Sequence, residues 1–142
     1  KPGASVPSIL KVVVRVISKL FPKMGVAVID ASTISQDKAV VDAYVNDPLV
    51  YRGKVPARLG AELVKTLDKL PALIPQITLP IIIMYGTEDR LSNPEGSQML
   101  YELVGSRDKT LKKYEGFYHE IFNEPEHLQV MADLEAWLAT RV

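Results

Sequence analysis

Two hydrophobic periods run along this chain, and they change near Leu70-Pro71-Ala72-Leu73-Ile74-Pro75. Before that point apolar residues recur at helical spacing. Ser8 to Phe21 is strongly apolar, with Lys11, Arg15, Ser18 and Lys19 as a narrow polar stripe, so a helix is expected there. Pro22 and Gly25 end it. Asp37 to Asn46 reads as a short helix with Val40, Val41 and Tyr44 on one side, stopped by Asn46-Asp47-Pro48. Ala57 to Leu70 reads as a third, with Leu59, Leu63, Leu67 and Leu70 in one stripe. After the change, Leu79 to Tyr85 is a short continuous apolar run bounded by Pro and Gly. That is the pattern of a strand buried on both faces. A helix follows, with Asn93 as N-cap, Pro94 at its first position and Gly105 just past its end. Met99, Leu100, Leu103 and Val104 form its expected buried face. Thr110 to Tyr114 is the next strand. A last helix starts around Glu124-Pro125 and is expected to bury Leu128, Met131, Leu134, Trp137 and Leu138.

The second part is therefore strand–helix–strand–helix, a right-handed parallel unit. The fold class is α/β. Two strands cannot cover Ile81-Ile82-Ile83 on both faces and both edges, and nothing in residues 1–78 reads as enough strand to help. The expectation is that further strands precede this chain in the parent protein. Lys1-Pro2-Gly3-Ala4-Ser5, neither a start methionine nor a signal peptide, agrees with that expectation.

Composition narrows the partners. Seventeen basic and seventeen acidic residues cancel, so no global field draws the chain to nucleic acid. There is no cysteine, hence neither a disulfide framework nor a thiolate metal site. This fits a cytoplasmic protein. No apolar run reaches the roughly 18 residues of a membrane span. With 47% hydrophobic and 24% charged residues, the chain has a globular composition.

The candidate chemistry lies just beyond the two strands, where parallel α/β sheets collect functional groups. Asp89 follows the first strand in Tyr85-Gly86-Thr87-Glu88-Asp89-Arg90. His119 follows the second in Tyr114-Glu115-Gly116-Phe117-Tyr118-His119. An acid and then a base in that order are the last two members of a Ser, Asp, His triad. The imidazole would take the serine proton, and the carboxylate would hold its tautomer. Glu88 and Asp108 are rival acids, and His127 in the last helix's first turn, expected to be exposed, is the rival base. None of the eight serines (5, 8, 18, 32, 35, 92, 97 and 106) sits in a Gly-x-Ser-x-Gly turn; Gly3-Ala4-Ser5-Val6-Pro7 comes nearest. The chain thus reads as the C-terminal part of a serine hydrolase, with the nucleophile in an N-terminal half.

Other chemistries have little support. Two histidines eight residues apart do not make a recognisable metal site. There is no Gly-x-Gly-x-x-Gly and no P-loop, so no cofactor is expected. Lys109, Lys112 and Lys113 read as a solvated strand edge. The Ser8–Phe21 helix has two readings. It is either an ordinary buried helix or part of a cap whose outer apolar surface meets lipid while Lys11, Arg15 and Lys19 meet head groups or water. Its apolar residues cover most of the circumference, which favours the cap. In that reading Ile9, Val13 and Ile17 face the substrate entrance.

Four segments carry a resemblance: Ile29-Asp30-Ala31-Ser32-Thr33-Ile34-Ser35, Val45-Asn46-Asp47-Pro48-Leu49-Val50-Tyr51, Gly86-Thr87-Glu88-Asp89-Arg90-Leu91 and Lys112-Lys113-Tyr114-Glu115-Gly116-Phe117-Tyr118-His119-Glu120. With these the chain resembles the monoacylglycerol lipases of the α/β-hydrolase fold, the bacterial branch more than the animal one. The resemblance implies the C-terminal part of an α/β-hydrolase, parallel strands with flanking helices, preceded by a helical cap. It implies a cap over residues 1–75 and core over 76–142. It places the triad acid and base on Asp89 and His119. By position Tyr44 resembles the cap tyrosine near the glycerol end, and Leu91 a residue of the acyl tunnel. Animal relatives carry a second histidine three residues after the catalytic one, where this chain has Phe122.

The implied activity is hydrolysis of a monoacylglycerol to fatty acid and glycerol, with the cap able to touch a membrane surface. A hydrolase of another small ester or lysophospholipid, one acting on a soluble haloalkane or epoxide, and a non-catalytic binding module derived from this fold are the alternatives.

Overall fold

The computed structural model describes residues 8–141, with side chains from residue 12 onward. In chain order it contains α1 (Ser8–Leu20), β1 (Gly25–Ala27), α2 (Lys38–Asn46), β2 (Val55–Pro56), α3 (Ala57–Leu67), α4 (Leu70–Leu73), β3 (Ile81–Gly86), α5 (Pro94–Leu103), β4 (Lys109–Tyr114) and α6 (His127–Ala139). Short 3-10 turns at Ala31–Thr33, Ile74–Gln76 and Ile121–Asn123 join them.

β3 and β4 pair in parallel from Ile81↔Lys109 to Gly86↔Tyr114, with α5 as the crossover. The N-terminus of α5 forms as its residues dictate. Asn93 accepts a hydrogen bond from Glu95 N at 3.0 Å, and Pro94 occupies the first position, where no N–H is needed. The core lies against β4. Tyr114, Phe117, Ile121 and Val130 form a buried cluster with Met84 packed on it, and the Tyr114 and Phe117 rings stack at 5.4 Å.

α6 differs from expectation. It begins at His127, and its fully buried residue is Val130. Leu128, Met131 and Leu138 are exposed, and Leu134 and Trp137 half-buried. β4 and the 117–121 turn reach only one side of the helix, which leaves that apolar row uncovered by the described residues. α5 itself has no fully buried residue: Met99 and Leu100 are half-buried and Leu103 is exposed, while Val104, just past its end, is buried. The lysines of β4 are also more engaged than a solvated edge. Lys112 pairs with Asp133 at 2.9 Å, and Lys109 donates to Tyr101 O at 2.8 Å.

Residues 8–75 hold a small antiparallel ribbon, β1 with β2, that the hydrophobic pattern did not announce. Its role is local. The carbonyls of Met24 and Pro22 accept from Ala57 N (2.7 Å) and Arg58 N (3.1 Å). They satisfy two of the first N–H groups of α3, which Pro56 leaves without a side-chain cap. α3 stops at Leu67 rather than Leu70, and α4 begins there.

α1 and α3 meet by the sides that the sequence marks as polar. The cleft between them, about 310 Å³, is lined by Val14, Arg15, Ser18, Ala61, Val64 and Lys65 among others. Ser18 is buried and its hydroxyl donates to Arg15 O at 3.0 Å. The apolar stripes point the other way. Val12, Val13, Val16 and Leu20 on α1 and Leu59, Leu63 and Leu67 on α3 are exposed, Leu63 by 57%. No helix among the described residues is long and apolar enough to cross a membrane.

A polar link between β4 and α6 gives a pH signature. Tyr114 Oη donates to Asp133 Oδ2 at 3.0 Å. Burial, and then the Asp133 carboxylate, push the Tyr114 hydroxyl well above its usual value of 10.0. A group raised in the folded state contributes stability that is full below its unfolded pKa and is lost as pH rises above it. The melting temperature should therefore fall above about pH 10, and Tyr114→Phe should flatten that fall. An identical alkaline slope in both proteins would show that Tyr114 is not its source. Asp133 has the opposite sign: the Lys112 hydrogen bond holds its carboxyl below the usual range, so its contribution is lost in acid.

Candidate active site

Asp89 and His119 stand on adjacent loops because β3 and β4 are adjacent in register. Two loops leaving a parallel pair still need a lock to hold side chains at bonding distance. Thr87 N donates to Tyr114 O (3.0 Å) and Glu88 N to Phe117 O (2.9 Å). Gly116 N donates to Thr87 Oγ1 at 2.9 Å. Gly116 has φ +81°, a left-handed conformation that glycine adopts without steric cost. Gly86 is required for a different reason: a Cβ there would lie 2.3 Å from Phe117 O and 2.4 Å from Tyr118 O. The His119 loop therefore crosses directly over the end of β3. Arg90 lies over the Tyr118 ring at 5.5 Å, a further contact between the two loops.

The Asp89 carboxylate is divided between two tasks. Oδ1 accepts from Leu91 N and Ser92 N, each at 2.8 Å. Oδ2 lies 2.9 Å from His119 Nδ1. The Asp89 side chain is 8% exposed and that of His119 39%. A carboxylate is an acceptor, so Nδ1 carries the ring proton and Nε2 presents its lone pair outward. Such an arrangement can take a proton from a hydroxyl placed at Nε2 and stabilise the resulting imidazolium.

Two of the three rival groups, Asp108 and His127, are engaged elsewhere. Asp108 forms a two-pronged pair with Arg141, with Arg141 Nε at 2.9 Å. Glu88 is exposed. His127, expected to be exposed, is half-buried, with Nδ1 2.9 Å from Glu124 O. Among the described residues no group of three or more His, Cys, Asp or Glu is placed to hold a metal ion.

The other residues singled out from sequence are not gathered at the pair. Leu91 is exposed beside it and joins it only through its backbone N–H. Tyr44 is half-buried and lines a different space, a cavity of about 450 Å³ with Ile29, Val45, Tyr51, Val55 and Leu59. Val13 is exposed and Ile17 half-buried on α1; the side chain of Ile9 lies outside the described residues. Sequence reasoning missed Thr87 as the lock between the loops. It also missed Glu124, 1% exposed, which it took for a helix start. A buried carboxylate leaves no mark in a hydrophobicity pattern. Thr87 was legible only as the middle of a strand-to-loop turn.

An acid and an imidazole paired beyond the ends of parallel strands, with the crossover helix behind them, define an α/β-hydrolase arrangement. The comparisons agree. The chain belongs to the family described as serine aminopeptidase, S33, whose model matches residues 1–126. Within that family its similarity is to monoacylglycerol lipases. The monoacylglycerol lipase of Mycolicibacterium smegmatis is 38% identical over 137 residues, 96% of this chain and 49% of the relative. The human monoglyceride lipase is 34% identical over 129 residues, 89% of this chain and 43% of the relative. The crystal structure of Paleococcus ferrophilus monoacylglycerol lipase superposes with a TM-score of 0.84 at 26% identity, covering 100% of this chain and 56% of that one. The chain thus spans about half the length of the curated relatives it matches.

Proposed function

We propose that this chain supplies the lid and the acid–base pair of a serine hydrolase that cleaves monoacylglycerols to fatty acid and glycerol. The nucleophilic serine comes from an N-terminal half of the same hydrolase. The observation that carries the reading is the Asp89 carboxylate, with one oxygen anchored by two backbone N–H groups and the other on His119 Nδ1. His119 Nε2 is then the base that activates the serine, and later the acid that returns the proton to the leaving glycerol oxygen. Residues 1–75 form the lid and 76–142 the C-terminal part of the core. Tyr44 serves the glycerol end, and Leu91 the acyl tunnel beside the acid. The similarity to enzymes named monoacylglycerol lipases supports the substrate class.

The outward stripe of α1 supports the lipid part of the reading. A row of exposed valines and leucines is costly in water, since burying each is worth about 1.5–3 kcal/mol, and such a row marks a surface that something apolar covers. Here that cover is the acyl chain and the lipid surface from which it is drawn, with Ile9, Val13 and Ile17 at the entrance. Val13→Asp and Ile17→Asp in the assembled hydrolase should cut activity on micellar monoacylglycerol at least ~10-fold while leaving a short soluble ester within ~2-fold. Equal losses on both substrates would make α1 plain core, and no loss on either would leave the stripe without a role in substrate capture.

A further inference from the structure

The loop that carries His119 is tied to residues 34–37 as closely as it is to β3. Glu120 N donates to Ile34 O at 2.8 Å. Ser35 Oγ donates to Asn123 O at 2.9 Å and accepts from Asp37 N. Gln36 closes the contact from two sides. Its backbone N–H reaches Glu124 Oε1 at 3.0 Å, and its side-chain amide reaches Glu124 Oε2 at 2.8 Å and Gly116 O at 2.9 Å. Ile34 and Ser35 are each 2% exposed and Glu124 1%.

A carboxylate at that depth is expensive unless its oxygens are satisfied. Among the described residues the donors to Glu124 are both on Gln36, and both are neutral. A charge placed only for stability is better served by a cation or by an apolar replacement. What this carboxylate supplies is geometry. Its two oxygens fix a backbone N–H and a side-chain amide of one segment, and that amide also holds the carbonyl of Gly116, three residues before His119. The same segment launches α2, since Asp37 is its N-cap. Tyr44 lies on α2.

We propose that Glu124 is a positioning residue for His119. It clamps residues 34–37 and the 116–124 loop into one block, which sets the imidazole against Asp89 and couples its place to the start of α2. The proposal rests on the acid–base role given above to Asp89 and His119.

The test uses the assembled hydrolase and a short soluble ester. Glu124→Gln keeps the volume but turns an N–H group toward the Gln36 amide. Its kcat should fall by about 10- to 100-fold with KM within about 2-fold, because a small displacement of a catalytic group costs that much. The acid limb of the kcat–pH profile should move as His119 loses its alignment with Asp89. Should the Glu124 variant fail to fold, Gln36→Ala decides, since the Gln36 residue is exposed and its backbone N–H still reaches Glu124. Its kcat should fall in the same direction. Wild-type kcat and pH profile in folded Glu124→Gln or Gln36→Ala would overturn the proposal. His119→Ala separates the two layers: if it retains activity, the acid–base reading itself fails, whereas loss there with normal Glu124 and Gln36 variants refutes the positioning role alone.

Discussion

His119→Ala and Asp89→Asn, made in the assembled hydrolase, should each lower kcat by about three to four orders of magnitude with little change in KM. The two act by different routes. Removing the imidazole deletes the base. Changing the carboxylate to an amide offers the Nδ1 side an N–H or a weaker acceptor, which favours the wrong tautomer and removes the charge that stabilises imidazolium. The double variant should be little worse than either single one, because groups acting as a unit are not additive. Glu88→Gln and Asp108→Asn are the matched controls and should stay within about 2-fold of wild type, as surface substitutions away from the chemistry. A loss of less than 10-fold for Asp89→Asn, or a large loss for Asp108→Asn, would move the acid away from Asp89.

Legibility differed along the chain in a way that follows from where each element finds its partners. The β3–α5–β4 unit was readable because its signals are local: a continuous apolar run, Asn93-Pro94 at a helix start, and a second strand at the expected distance. The contact beyond it was readable because the two loops leave adjacent strand ends, where parallel sheets collect functional groups, and Asp89 and His119 meet there at 2.9 Å. The surfaces were less readable. An apolar stripe such as Leu59, Leu63 and Leu67 says that something covers it, and does not say that the cover is in the same chain. On α1 the signal even points away from the observed contact, because Ser18 is buried while Val12 and Val16 are exposed. α6 shows the same limit, with Val130 inside and Leu128 outside.

The residues that hold the site together were the least legible. Thr87, Gln36 and Glu124 act across separations of 29, 80 and 88 residues, and no periodicity connects such distances. Gly86 is the instructive intermediate. Its place after a strand was visible, but its necessity comes from the carbonyls of Phe117 and Tyr118 crossing above it. The β1–β2 ribbon belongs with these, since it is held by the N–H groups of α3 and by pairing across the intervening helix, not by a strand-like run of its own.

A preparation of residues 1–142 alone should show no ester hydrolysis. His119 Nδ1 is committed to Asp89, so only Nε2 can activate a nucleophile, and among the described residues no serine hydroxyl is hydrogen-bonded to it. Ser18, Ser32, Ser35 and Ser106 give their hydroxyl protons to Arg15 O, Asp30, Asn123 O and Asp108 O. Without an activated oxygen no acyl-enzyme forms. The residual acceleration of roughly 10³–10⁴-fold that a complete site keeps after losing its nucleophile comes from the oxyanion hole and substrate binding, and it is not expected of this half alone. The measurement is turnover of a short p-nitrophenyl ester by the purified chain, with fluorophosphonate labelling as the second readout. The expected result is a rate near buffer and no labelled serine, against ready labelling of the assembled hydrolase. Turnover well above buffer that fluorophosphonate blocks, with the label on one of the eight serines, would mean that this chain carries its own nucleophile and that the division of the triad proposed above is wrong.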